Sequence, residues 1–237
     1  GVALGGTRAL GQVLGANDRI RIAVAGINGR GRDHINNYLK MDNVEIAYLV
    51  DPDSRLFDSR AQQIQEKSGK RPKCVQDVRE ALDDPGVHAV SIATPNFWHS
   101  LMTIWACQAG KDVYVEKPGA HNIYEGRKMV EAANKYDRIV QHGVQLRSSV
   151  AVQEAIKHLR DGLIGRVYMA RGLVFRWRGD VGKKGPGTIP QGLDYDLWTG
   201  PAEMKPFSED WVHYNWHWHW NWGNGDVGNQ GIHETDL

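Results

Sequence analysis

Five residues in the segment R-I-R-I-A-V-A-G-I-N-G-R-G, positions 19–31, carry the first chemical signal: Gly26, Asn28, Gly29, Arg30 and Gly31. Glycine permits a tight turn and a close backbone approach, and a helix starting there points free N–H groups at an anion. The spacing departs from G-x-G-x-x-G, because Asn28 holds the second glycine position. Asn tolerates a left-handed backbone better than most residues, so the turn stays feasible. The chemistry implied is phosphate binding. Asp51 follows roughly 20–25 residues after the first glycine, where an acid can accept from adenosine ribose hydroxyls. Three more polar clusters end apolar runs: Thr94-Pro95-Asn96, Glu116-Lys117-Pro118, and residues 141–145.

The elements that must position these groups alternate. Ile20, Ile22 and Val24 make an apolar strand, and Ile35, Tyr38 and Leu39 a helical face behind the glycines. Val44 to Val50 is a second strand, and Phe57, Ala61 and Ile64 a second helical face ended by Gly69 and Pro72. A short strand over residues 73–75 and a helix capped by Asp77 follow. Residues 87–93 read as a buried strand, then Phe97, Leu101 and Ile104 as a helix. Residues 112–115 and 139–141 are further strands, separated by a helix opened by the Asn122/Glu125 pair. This β-α alternation implies an α/β fold: a doubly wound parallel sheet covered by helices on both faces, with ligands outside the carboxyl ends of the strands. All five polar clusters fall at that edge.

The pattern changes near Ser148. Val152, Ile156 and Leu159 form an amphipathic helix ended by Gly162 and Gly165, residues 166–176 read as a long strand, and residues 179–192 as a surface loop. The start of a second, α+β domain, whose largely antiparallel sheet is incomplete in this chain, is expected over 148–237, after a first domain over 19–147. Six of the nine tryptophans lie between Trp198 and Trp222. In Trp216-His217-Trp218-His219-Trp220-Asn221-Trp222 a strand would put all four indoles on one face and His217, His219 and Asn221 on the other. A metal site from His213, His217 and His219 lacks a completing cysteine or acid, so none is assigned. The alternatives are a sugar or aromatic platform and, favoured here, an indole face in the core or a subunit interface.

The chain has 237 residues, 41% hydrophobic and 24% charged, a globular composition with room for two modest domains. A net charge of +1 excludes the basic signature of a nucleic-acid binder, and no run is long enough to span a membrane. Cys74 and Cys107 read as core thiols rather than a disulfide. Residues 1–18 read as a leader. Their small, apolar, acid-poor start is similar to the tail of an export signal, which implies an exported or periplasmic protein; a leader without order, in a cytoplasmic protein, is the alternative. Both ends look cut, and the chain reads as a fragment.

The combination of A-V-A-G-I-N-G-R-G, V-D-P-D-S-R at residues 50–55, T-P-N-F-W-H at 94–99 and E-K-P at 116–118 resembles the Gfo/Idh/MocA oxidoreductases, the family of glucose–fructose oxidoreductase and inositol dehydrogenase. D-Y-D-L-W-T-G-P at 194–201 resembles its exported branch, and G-I-H-E-T-D at 231–236 its G-x-H-x-x-D. The resemblance implies a Rossmann-type first domain holding NAD, or NADP, and a second domain that faces a sugar or polyol and pairs subunits into a homo-oligomer. It places the cofactor against Gly26, Asn28, Gly29, Arg30, Gly31, Asp51, Arg55, Thr94, Pro95, Asn96, His99, Glu116 and Lys117. It makes Lys117 the catalytic lysine, His233 the candidate general base, and Gln145, Arg147, Asn229 and Asp236 substrate contacts alongside them. An ammonium beside a reacting C–O stabilises alkoxide charge, and a histidine titrates near working pH. Asp51 favours NAD, since its charge repels a 2′-phosphate, whereas Arg55 could pair with one.

One position departs from the family pattern. Asn229 stands where many members carry an acid four residues before the histidine, and Asn cannot take a proton. Acid–base duty then falls on His233 or Lys117, with Asp226 the nearby acid that could substitute. The expected activity is NAD(P)-dependent hydride transfer to or from a sugar, polyol or related carbonyl compound. Two alternatives are glycoside cleavage through transient sugar oxidation with NAD regenerated, and a non-catalytic NAD or sugar sensor.

Overall fold

A computed structural model of the chain describes residues 19–175 and 177–236; the leader expected over 1–18 lies outside them. Six strands form one parallel sheet: β1 (Ile20–Ala25), β2 (Val44–Val50), β3 (Lys73–Val75), β4 (Ala89–Ile92), β5 (Asp112–Glu116) and β6 (Val140–Gly143). Their order is β3-β2-β1-β4-β5-β6, so the chain reverses direction across the sheet between β1 and β4. The crevice outside β1 and β4 is where such sheets bind ligands.

Helices α1 (Arg30–Tyr38), α2 (Phe57–Ser68), α3 (Val78–Leu82), α4 (Asn96–Gln108) and α5 (Ile123–Tyr136) connect the strands. Side-chain caps set three of the boundaries between strand and helix. Asp53 accepts from Arg55 N ahead of α2, Asp77 from Arg79 N ahead of α3, and Asn122 from Glu125 N ahead of α5. Each satisfies an orphan first-turn donor, typically worth about 1 kcal/mol. Strand residues buried on both faces feed two cores. Ile22, Val24, Ile35, Leu49 and Ile64 fill one, and Ala23, Val50, Val90, Ile92, Met102 and Val115 the other.

The remaining chain contributes α6 (Val150–Arg160), α7 (Tyr195–Thr199) and α8 (Ile232–Thr235). Phe97 of α4 packs with Leu193, Tyr195, Trp198, Phe207, Trp216 and Trp222 in a third, aromatic core. That core fastens residues 192–223 across the carboxyl edge of the sheet. Ser54 N donates to Gly192 O at 2.9 Å, Asp194 N to Pro52 O at 2.9 Å, and Trp98 Nε1 to Leu197 O at 3.0 Å.

Two local expectations are corrected. The described residues of 166–176 form no strand, and Val167, Tyr168, Met169, Leu173, Val174 and Phe175 are exposed. A strand is held by its ladder, and no described segment pairs with this one. Among the described residues of 148–237 no sheet is completed, and the one bridge there joins Asp53 to Leu193. The Trp/His alternation is not extended either: residues Asn215–Trp218 curl into a 3₁₀ turn. The curl buries Trp216 and Trp222 in the aromatic core while Trp220 stays 93% exposed, so the indoles do not share a face. Burial of two large rings outweighs the period-2 pattern. Cys74 and Cys107 are free thiols. No helix among the described residues is long and apolar enough to cross a membrane.

Candidate active site

The glycine turn is built by exclusion of side chains. Gly26 has φ +80°, and a Cβ there would meet Ala93 C, Ala93 O and Thr94 N at 2.6 Å. Gly31 packs its Cα on the Gly26 carbonyl, where a Cβ would overlap outright. Gly29, by contrast, faces open space and precedes α1, whose first turn has no side-chain cap. A nine-residue helix thus presents uncapped amides to a cavity of about 330 Å³, within the usual range for ligand pockets. Gly26, Asn28, Gly29, Arg30, Asp51, Thr94, Pro95, His99, Glu116, Lys117 and Asn229 all line that cavity. Thr94 Oγ1 is buried beside it with no partner among the described residues. An open cradle that side chains would fill, uncapped amides and an acid at the end of β2 fit the pyrophosphate and ribose of a nicotinamide dinucleotide.

Asp51 is 6% exposed, with Oδ2 accepting from Ile27 N at 2.9 Å and Oδ1 from Asp53 N at 3.0 Å. Burial raises its pKa to about 6 against these two donors. The carboxylate therefore braces the glycine turn as well as lining the cavity. Arg55, the residue that could have met a 2′-phosphate, is forked onto Asp53 at 2.6 and 2.7 Å and does not line the cavity.

Glu116 ends β5 and anchors a buried polar chain. Its Oε1 accepts from Arg30 Nε and His34 Nε2, both at 2.9 Å, and its Oε2 from Lys117 N at 3.2 Å. His34 Nδ1 in turn meets Ser91 Oγ at 2.8 Å, and Tyr38 donates to the same hydroxyl at 3.2 Å. Burial alone would raise Glu116, but the His34 and Arg30 contacts win and hold it down at about 2. Lys117 Nζ donates to Asn229 O at 2.7 Å and Asn229 Oδ1 at 3.0 Å. Burial pushes its pKa below the ordinary lysine range, with Glu116 opposing. Two of three ammonium protons are thus spoken for, leaving one for a ligand oxygen. Asn229 sits in a wide turn, Val227–Gly231, that brings the second segment over β5.

Other residues of the sequence-derived set are placed elsewhere. Gly31 and Asn96 support the cavity without lining it; Asn96 bonds Asn224. His233 does not line it, and among the described residues its buried Nδ1 has no partner. Arg147 and Asp236 pair with each other at 2.6 Å in a separate shallow cleft beside α6, and Gln145 is exposed. Sequence reasoning missed several lining residues: Gln76 and Asp77 at the end of β3, Trp98 and Met102 on α4, and Trp198, His213, Tyr214, Trp216 and His217 from the aromatic stretch. The richness of that stretch was visible, but not its position. Among the described residues no three His, Cys, Asp or Glu side chains gather as a metal site.

The family model described as "Oxidoreductase family, NAD-binding Rossmann fold" matches residues 20–144, and the companion "Oxidoreductase family, C-terminal alpha/beta domain" matches 149–237. Levoglucosan dehydrogenase of Pseudarthrobacter phenanthrenivorans is 36% identical over 105 residues, 44% of this chain and 27% of that protein. The NAD(+)-dependent scyllo-inositol 2-dehydrogenase of Bacillus subtilis is 30% identical over 155 residues, 65% of this chain and 44% of that protein. The matched segments therefore span less than half the length of these curated relatives. The WlbA dehydrogenase structure of Bordetella pertussis, in complex with NADH and UDP-GlcNAcA, shares the fold with a TM-score of 0.67 at 23% identity, over 93% of this chain and 54% of that one. The cradle at Gly26, the acid at Asp51 and the Glu116-Lys117-Pro118 strand end thus belong to a member of the Gfo/Idh/MocA oxidoreductase family, with that family's NAD-binding Rossmann domain at residues 20–144.

Proposed function

We propose that the protein is an NAD-dependent oxidoreductase acting on a secondary alcohol, or the matching ketone, of a sugar or polyol. One observation carries this reading: the half-buried Lys117 ammonium lines the same cavity as the glycine cradle and keeps one N–H uncommitted. The dinucleotide, when bound, supplies the hydride acceptor or donor. Gly26, Gly29 and the first turn of α1 receive its pyrophosphate, with Arg30 beside them. Asp51 retains lone pairs for a ribose hydroxyl beyond its two backbone contacts. Lys117 directs its remaining proton at the substrate oxygen and stabilises negative charge there. Asn229 aims that ammonium, so an amide serves where many members of the family carry an acid. Trp198, Tyr214 and Trp216 give the cavity an aromatic wall suited to the C–H face of a sugar ring.

The test starts with the protein as purified. It is denatured, and any released dinucleotide is identified by mass. The native protein is then offered NAD with levoglucosan, scyllo-inositol and myo-inositol while absorbance at 340 nm is followed. NADH formation that disappears in Lys117→Met supports the reading. A retained dinucleotide with aglycone release from a glycoside and no net NADH would replace it with redox-neutral glycoside cleavage. Failure to bind either NAD or NADP would remove the nucleotide assignment.

A further inference from the structure

Arg55 is the first cation in the chain after β2, and it follows Asp51 at the same strand end. NADP differs from NAD by a phosphate on the adenosine ribose, the sugar that Asp51 receives in the reading above. A free arginine here would suit that phosphate, because its planar fork matches two phosphate oxygens at once. In this chain the fork is already filled. Arg55 Nε donates to Asp53 Oδ1 at 2.7 Å and Nη2 to Asp53 Oδ2 at 2.6 Å, a bidentate pair. Arg55 N donates to the same Oδ1 at 3.1 Å.

The carboxylate that holds Arg55 cannot release it cheaply. Asp53 is 2% exposed, whereas Arg55 is on the surface. Burial works to raise the Asp53 carboxyl, but Arg55 and the His213 ring outweigh it and hold the group below its ordinary range, hence ionised at pH 7. Withdrawing Arg55 toward a phosphate would leave that buried charge to His213, whose Nε2 lies 3.1 Å from Asp53 Oδ2. Burial holds His213 below the ordinary histidine range against the pull of Asp53, so it offers a neutral N–H rather than a second cation. A buried charge stripped of its ionic partner is costly.

The second segment pins the pair from outside. Gly192 packs on the arginine stem so closely that a Cβ there would lie 3.0 Å from Arg55 Cγ. Ser54 N and Oγ both donate to Gly192 O, at 2.9 and 3.0 Å, and Asp53 bridges Leu193. Arg60, the next cation along the chain, is spent as well, its Nε on Ile27 O at 3.2 Å. We propose that Asp53 selects NAD over NADP by sequestering Arg55. The pair withholds the guanidinium that would neutralise a 2′-phosphate and leaves Asp51 to repel it. Asp53 does not line the cavity and acts through Arg55, so it is a positioning residue. Because His213 and Gly192 hold the pair in place, the second segment takes part in a choice made at the first domain. This inference rests on the dinucleotide-dependent reading above.

Titration calorimetry with NAD and with NADP at pH 7.5 tests it on wild type, Asp53→Asn and the double variant Asp53→Asn/Arg55→Met. Asn keeps an acceptor for Arg55 N and gives up the charge. Wild type should bind NAD at least tenfold more tightly than NADP. Asp53→Asn should tighten NADP by about 10–100-fold, the range of charge-assisted hydrogen bonds, with NAD changed less than threefold. Adding Arg55→Met should take the gain away, which separates release of the guanidinium from mere loss of a negative charge. A gain that survives in the double variant, or no gain in a folded Asp53→Asn, overturns the proposal. A second measurement needs no Asp53 variant. In ¹H–¹⁵N correlation of arginine-labelled wild type, with the Arg55 Nε–H assigned by its loss in Arg55→Lys, the signal should be the same under saturating NAD and saturating NADP. An Arg55 signal that moves with NADP alone shows the guanidinium reaching the phosphate and overturns the sequestration. A wild-type preference for NAD under tenfold overturns the selection and leaves the oxidoreductase reading standing. Wild type that binds neither cofactor overturns that reading, and this inference with it.

Discussion

Replacing Glu116 by Gln would separate the two duties this carboxylate performs, and its size follows from the contacts. The folded carboxyl titrates at about 2 against an ordinary glutamate value of 4.5. By linkage that gap corresponds to about 3 kcal/mol of stability at neutral pH. Because the folded value is depressed, the contribution is present above 4.5 and is lost as pH falls from 4.5 toward 2. Gln keeps one acceptor oxygen for three donors, Arg30 Nε, His34 Nε2 and Lys117 N, and carries no charge. We expect Glu116→Gln to lower stability in urea by about 2–3 kcal/mol at pH 7, and by much less at pH 3, where wild type has itself lost part of the contribution. The same carboxylate raises Lys117 against the burial that lowers it. Its removal should therefore move Lys117 further down, seen as faster reductive methylation of Lys117 at pH 8, located by peptide mass. A loss under about 1 kcal/mol at pH 7, or an equal loss at pH 3, would refute the account of Glu116 as an ionised anchor.

Two further expectations concern the cradle. Gly26→Ala places a Cβ 2.6 Å from backbone atoms at φ +80° and should destabilise by about 2–3 kcal/mol or abolish folding, whereas Gly29→Ala points into open space and should change stability by less than about 0.5 kcal/mol while weakening NAD binding. Calorimetry and urea melts separate the two; equal stability losses would show that the turn is not packed as described. Asp51 has the opposite sign to Glu116. Its folded value of about 6 lies above 3.8, so its protonation favours the fold below 3.8, and that contribution of about 3 kcal/mol fades as pH rises through 6. The stability of Asp51→Asn relative to wild type should accordingly improve between pH 4 and pH 7, and a flat difference would contradict the buried, raised carboxyl.

The local rules legible in the chain carried the first domain a long way. Apolar runs that are buried on both sides, glycines at positive φ and the capping side chains Asp77 and Asn122 are short-range facts, and β1 through β6 follow from them with boundaries displaced by a residue or two. Because every strand is parallel and connected through a helix, all carboxyl ends meet at one edge. The sequence by itself therefore placed Gly26, Asp51, Thr94, Glu116 and Lys117 around one cavity. Ser91 and His34 gave no such signal. The Ser91–His34 and His34–Glu116 contacts span 57 and 82 residues of chain, and only the packing of α1 on the sheet creates them.

The aromatic stretch shows the limit from the other side. Its alternation satisfies a strand as well as any sequence can, and periodicity contains no term for what the rings will touch. Phe97 of α4 and Trp198 of α7 offer Trp216 a buried site, and the backbone curls into the Asn215–Trp218 turn to reach it. That curl leaves His213 on Asp53 and His217 on the Tyr214 carbonyl, both lining the cavity. Residue types and local spacing fixed the cradle and the sheet edge, because backbone sterics and helix ends act over a few residues. Which rings of the aromatic stretch line the cavity and which stay exposed was decided by tertiary structure, because burial of large rings is settled between segments more than 100 residues apart.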